Sequence, residues 1–153
     1  MTDPFQKVSR KEFNAFARVR WNAMNDICAL SDIRELTPVQ RVAHLAYWYM
    51  SEVYNGGHPQ YLVNRREFDH GEVIRALQTI GASEQASILA EVLSAVGTKT
   101  MDVPRNVEEY FSSEKASNLS GFDTRFYGSR QGIEACLQDY LDKHESDFIE
   151  WIP

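Results

Sequence analysis

Residues 37–64 read TPVQRVAHLAYWYMSEVYNGGHPQYLVN, and this stretch decides the fold class. Thr37 and Gln40 match a capping box, in which the threonine hydroxyl accepts from the third helical N–H and the glutamine reaches back. Pro38 suits the first helical position, where its missing N–H costs nothing. The pattern predicts an α-helix over about residues 38–54. Its apolar face recurs at helical spacing and consists of Val42, Leu45, Ala46, Tyr49, Met50 and Val53.

This helix is predicted to stop in the sequence Asn-Gly-Gly, because glycine tolerates the positive φ that ends many helices. Pro59 suits the first turn of a further short helix. Gln60 and Asn64 would share one face of it, and we expect their amides to hydrogen-bond the loop backbone. We interpret the segment as a tight corner between two helices, with a binding role as the alternative. The motif residues of this corner are Asn55, Gly56, Gly57, Gln60, Tyr61 and Asn64.

The rest of the chain shows the same periodicity. Apolar residues recur with a period of 3.6, and no segment alternates with a sustained period of two. The first helix is predicted over about residues 9–30 and the last over about 130–151, with His144 on the buried stripe of the last. With 153 residues the chain is near the commonest size of one domain. The sequence therefore predicts a single all-α domain over residues 1–153, with about seven helices.

Further helix starts are marked by capping residues. Ser9 and Glu12 form a second candidate capping box. Asp69, Asn106 and Asp123 are predicted N-caps, because their side chains can accept from the free N–H groups of a first helical turn.

Composition limits the classes of function. The net charge is −6 and the isoelectric point is about 5.2, which argues against direct nucleic-acid binding, since phosphate contacts need clustered Lys and Arg. The chain has no apolar run of about 20 residues, so we expect no membrane span. The first residues lack the apolar core of a signal peptide. Cys28 and Cys136 lie in apolar helical patterns and are predicted to be buried thiols, which suits the reducing cytoplasm.

No catalytic or metal motif is recognisable. The four histidines are far apart in the chain and lack the spacing of zinc ligands: His44, His58, His70 and His144. The serines lie in helical patterns without a nucleophile elbow, and no phosphate-binding loop is present. We therefore expect a non-enzymatic protein without a metal or another cofactor.

The corner motif, with Asn55-Gly56-Gly57 followed by Gln60-Tyr61 and Asn64, resembles the signature of the DNA-mimic protein 19-like family of small bacterial proteins. The resemblance covers about residues 36–151. It departs at His58, where the family usually has an aromatic residue, and at Leu62, where it often has Phe. The resemblance implies an all-α fold. It also implies a role for surface carboxylates, spaced like phosphates, that occupy the DNA site of a regulatory protein.

Such a surface is a charge layout and must be sought outside the motif. The closing helix is rich in carboxylates, whereas the first helix is rich in Lys and Arg. The candidate acidic binding face consists of Glu134, Asp139, Asp142 and Glu145. Glu108 and Glu109 are candidates for an extension of this face.

The resulting hypothesis is a non-enzymatic binding protein whose acidic face engages a protein partner, with a DNA-binding regulator as the first candidate. Two alternatives stay open: an immunity-type inhibitor of a toxin, and a small-ligand or enzymatic domain centred on the corner at residues 55–64. Segregated charge equally suits head-to-tail contacts, so a homodimer is a further alternative.

Overall fold

The computed structural model of the protein describes residues 5–97 and 114–153, with side chains in the second range from residue 118. Its described part is all-α apart from one small sheet, which confirms the predicted fold class. The seven described helices are α1 Arg10–Ala15, α2 Arg18–Leu30, α3 Pro38–Asn64, α4 His70–Thr79, α5 Ser83–Val96, α6 Glu114–Tyr127 and α7 Ile133–Lys143. Short 3-10 turns span Ile33–Glu35 and Glu145–Asp147, and the strands are β1 Gln6–Ser9 and β2 Ile149–Ile152.

Helix α3 is the centre of the fold, because it contacts α2, α4, α6 and α7. Its apolar face is fully buried at Leu45, Tyr49 and Val53, as the periodicity predicts. Burial of apolar area contributes about 25 cal/mol per Å², so this shared face is a principal source of stability. Buried side chains on those four helices include Met24, Leu77, Phe126 and Leu137.

Two of the predicted helix starts are confirmed by their hydrogen bonds. Thr37 Oγ1 accepts from the N–H of Gln40 at 3.3 Å, and Gln40 Oε1 accepts from the N–H of Thr37 at 3.1 Å. This reciprocal pair satisfies two N–H groups that the start of a helix leaves free. Asp69 caps α4 with a single hydrogen bond, in which its carboxylate accepts from the N–H of Glu72 at 3.1 Å.

The predicted first helix over residues 9–30 is wrong in two respects. Ser9 makes no capping bond, because it is the last residue of β1 and pairs with Ile152. The helix is also interrupted at Phe16, whose backbone is extended, so α1 and α2 are separate. Of the other predicted caps, Asp123 lies inside α6, and Asn106 lies outside the described residues.

The predicted last helix over residues 130–151 is too long at both ends. Helix α7 ends at Lys143, and His144 is its half-exposed C-cap, with its ring 4.4 Å from that of Tyr140. The chain then makes a turn and enters β2, which pairs in parallel with β1 from the other end of the sequence. A four-residue strand whose partner is so distant leaves no local pattern that distinguishes it from a helix end.

Candidate binding site at the α3 corner and on α7

Helix α3 is bent at the two glycines of the corner. Gly56 (φ −159°) and Gly57 (φ 73°) have non-helical backbones, and Pro59 lies in the first turn after them. Gly57 needs glycine for its left-handed φ and because an added Cβ would lie 2.9 Å from Asp123 Cγ. At Gly56 an added Cβ would lie 2.9 Å from Gln60 Cβ. Both glycines therefore make room for polar side chains of the corner.

A buried carboxylate organises the polar side chains on one side of the corner. Glu52 is 5% exposed, and its Oε2 accepts hydrogen bonds from Gln60 Nε2 and Asn64 Nδ2, both at 2.9 Å. Its Oε1 accepts from Arg65 Nε at 2.9 Å, and the guanidinium of Arg65 lies 3.7 Å from the ring centre of Trp48. The prediction that Gln60 and Asn64 share a face is correct, but their partner is this carboxylate rather than loop backbone. Several donors are what a carboxylate needs when it is removed from water.

A second buried chain of hydrogen bonds joins the corner to α6. Asp123 Oδ1 lies 2.6 Å from His58 Nδ1 and also accepts from the His58 backbone N–H at 2.9 Å. The other ring nitrogen, Nε2, lies 2.9 Å from the hydroxyl of Tyr49. Because a carboxylate accepts only, a neutral ring carries its proton on Nδ1, which leaves Nε2 to accept from Tyr49. Burial raises the pKa of the Tyr49 hydroxyl well above its usual value, so that it stays a donor.

Tyr61 is also directed inward. It is fully buried, and its hydroxyl lies 2.8 Å from Nδ1 of His70. Burial lowers the pKa of His70, which favours the neutral ring. Gln60, Tyr61 and Asn64 thus all have internal partners, so the corner offers little support for a ligand site built from these side chains.

An open groove of about 460 Å³ lies between α3 and the first turn of α7. Its lining residues are Met50, Ser51, Tyr54, Asn55 and Glu134. Tyr54 is 48% exposed and its ring lies 6.0 Å from that of Tyr127, which is 55% exposed. The hydroxyl of Tyr127 is fixed, because it donates to the carbonyl of Val53 at 2.8 Å. Of the motif residues of the corner, Asn55 is the one that lines this groove.

The candidate acidic face divides into two halves. Asp142 accepts from Arg20 Nη2 at 2.6 Å, and Glu145, in the turn after α7, accepts from Arg20 Nε and from Trp151 Nε1. One guanidinium thus offsets half the charge of this pair. Glu134 and Asp139 are exposed on α7 and have no ion-pair partner within the described residues. The extension to Glu108 and Glu109 lies outside the described residues.

Within residues 5–97 and 114–153, no three His, Cys, Asp or Glu side chains are grouped as metal ligands. No described helix combines the length and apolarity that crossing a bilayer demands. Cys28 and Cys136 are free and buried, as predicted, and burial raises the pKa of the Cys28 thiol to about 12.

A family model described as DMP19-like protein matches residues 34–144, well over half of the chain. The matched region includes the whole corner and all of α7. No curated protein and no solved structure matches the chain.

Proposed function

The chain belongs to the DMP19-like protein family, and on that premise we propose that it is a non-enzymatic binding protein that engages a basic surface of a partner protein. The resemblance described above favours a DNA-binding regulatory protein as the partner, with carboxylates taking the place of DNA phosphates. The cytoplasm, where such regulators occur, is the compartment that this role requires.

The observation that carries the proposal is the pair of exposed carboxylates on α7, Glu134 and Asp139, that lack an ion pair within the described chain. A free surface carboxylate attracts a basic partner over a distance of about 10 Å at ordinary ionic strength. Asp142 and Glu145 contribute less, since Arg20 already binds both. The carboxylates relevant to binding are therefore Glu134, which lines the groove, and Asp139, which is exposed further along α7.

The proposal is tested by capture from an extract of the native cell on immobilised protein, followed by elution with duplex DNA. A DNA mimic retains a DNA-binding protein that the duplex releases, and mass spectrometry identifies it. The double variant Glu134→Lys with Asp139→Lys should lose that protein. The matched control, Glu12→Lys with Glu84→Lys, changes net charge equally at exposed sites on α1 and α5 and should retain it.

Two outcomes would contradict the proposal. Equal retention of the captured protein by both double variants would show that Glu134 and Asp139 are not part of the interface. Capture of an enzyme that duplex DNA does not release, and that loses activity on binding, would favour the immunity-type inhibitor instead.

A further inference from the structure

The groove between α3 and α7 combines an aromatic wall with a single charge. Glu134 is the only charged residue among the five that line it, and Tyr54 provides the aromatic ring. Burial, and after it the charge of Glu134, raises the pKa of the Tyr54 hydroxyl. The carboxylate and the ring thus line the same groove.

The ring of Tyr54 is held in place on one side by two other aromatic residues. It packs edge-on against Phe126 with a centroid distance of 5.3 Å, and it lies beside Tyr127, whose hydroxyl is bonded to Val53. About half of the side chain nevertheless remains exposed. An aromatic residue that is fixed on one side and exposed on the other can contact a partner with little loss of side-chain entropy.

The chemistry of these walls selects the occupant. A negative carboxylate requires a cation, and an aromatic face attracts one through its quadrupole. Guanidinium is planar, is weakly hydrated and donates in a fork that matches a carboxylate, whereas ammonium is a compact and strongly hydrated charge. Ser51 and Asn55 add polar groups at the edge of the groove, and Met50 contributes an apolar surface for the stem of a long side chain.

We propose that this groove is an anchor site for one arginine side chain of a basic protein segment, with the guanidinium stacked on Tyr54 and hydrogen-bonded to Glu134. The inference rests on the proposed function and specifies how the partner is held. The remaining arginines and lysines of the partner would face Asp139. They would contribute more to the rate of association than to the geometry of the bound complex.

The first test uses fluorescein-labelled oligo-arginine and oligo-lysine peptides of equal length, with binding measured by fluorescence anisotropy at low ionic strength. The oligo-arginine peptide should bind more tightly. Tyr54→Leu and Glu134→Gln should each weaken its binding about tenfold, whereas Tyr54→Phe, which keeps the ring, should retain most of the affinity. Circular dichroism of each variant confirms that it is folded.

The matched control is Asp139→Asn, which removes the same charge from α7 without changing the groove. It should weaken binding less than Glu134→Gln does. Equal effects of these two substitutions, or equal affinity for the two peptides, would mean that only the general negative charge attracts the peptide and would overturn the anchor.

Capture from the cell extract separates the two proposals. If the double charge reversal loses the partner but Tyr54→Leu retains it fully, the binding function stands and the arginine anchor is rejected. If oligo-arginine binding depends on Tyr54 but the double charge reversal retains every captured protein, the proposed function fails while the groove remains a guanidinium site.

Discussion

Two carboxylates have opposite surroundings: that of Glu52, a residue of α3, and that of Glu134, which lines the groove between α3 and α7. Glu52 lies inside the corner and accepts from Gln60, Asn64 and Arg65. Glu134 is exposed at the groove and has no ion pair within the described residues. The corner thus uses its polar groups internally, whereas the groove leaves them available to a partner.

This difference indicates what the family signature encodes. Gly56, Gly57, Gln60, Tyr61 and Asn64 bend α3 and bind it to its own side chains or to those of α6 and α4. A residue that is needed for such an internal network says little about the partner. The signature therefore identifies the fold, and under the proposed function the specificity of binding resides mainly in surface residues outside it, such as Tyr54 and Glu134, with Asn55 as the motif residue at the groove.

The largest effect is expected for Gly57→Ala. Its backbone (φ 73°, ψ −175°) lies in a region essentially confined to glycine, which costs an L-residue about 1–3 kcal/mol, and the added Cβ would displace Asp123 from two partly buried hydrogen bonds. We expect a loss of about 4 kcal/mol in the free energy of unfolding, measured by urea denaturation. Gly81→Ala is the control, because φ there is 88° but nothing lies within 4 Å of the new methyl group. Equal losses at both positions would show that the contact with Asp123 is unimportant.

Next in size is the removal of the buried carboxylate. Glu52→Ala leaves Arg65, Gln60 and Asn64 without their acceptor, and breaking a buried ion pair from one side costs about 3 kcal/mol. The control is Glu91→Ala, whose bidentate pair with Arg125 is exposed and should contribute much less to stability, because solvent screens it. Equal losses in the free energy of unfolding would mean that the buried Glu52 carboxylate contributes no more to stability than the exposed Glu91 carboxylate does.

A smaller effect is expected for His58→Phe, the substitution toward the aromatic residue that the family resemblance favours. Asp123 and Tyr49 each lose the hydrogen bond to the imidazole ring, at a cost of about 2 kcal/mol. Adding Tyr49→Phe should recover part of this loss, since it removes the hydroxyl that has been left without a partner. Additive losses in the double variant would contradict the hydrogen-bonded chain.

Local signals in the sequence were sufficient for the main features of the fold. The capping box at Thr37, the periodic apolar face of α3 and the two glycines are short-range patterns, and each has the predicted structural consequence. The sheet was missed because β1 and β2 are four residues long and lie at opposite ends of the chain. Pairing over such a distance depends on how the helices between them pack.

The polar network was missed for a related reason. Glu52 lies next to Val53 on a helix that faces the core, and nothing within its neighbourhood in the sequence shows that three donors will meet it. Asp123 was assigned to a helix start because aspartate is common there, whereas its partner His58 is 65 residues away. Likewise, the contact of Arg20 with Asp142 joins α2 to α7, so the neutralised half of the acidic face was not visible from the composition of α7.

The smallest effect should come from the surface carboxylates, and it is the one that distinguishes the two regions most directly. Glu134→Gln and Asp139→Asn, singly or together, should change the free energy of unfolding by less than about 0.5 kcal/mol, because exposed side chains without partners contribute little to stability. The same urea denaturation measures this, with Glu52→Gln as the buried carboxylate given the same isosteric change. A loss above about 1 kcal/mol at Glu134 would mean that its carboxylate has a structural partner inside the protein, and a residue with such a partner would not be free to hold an arginine.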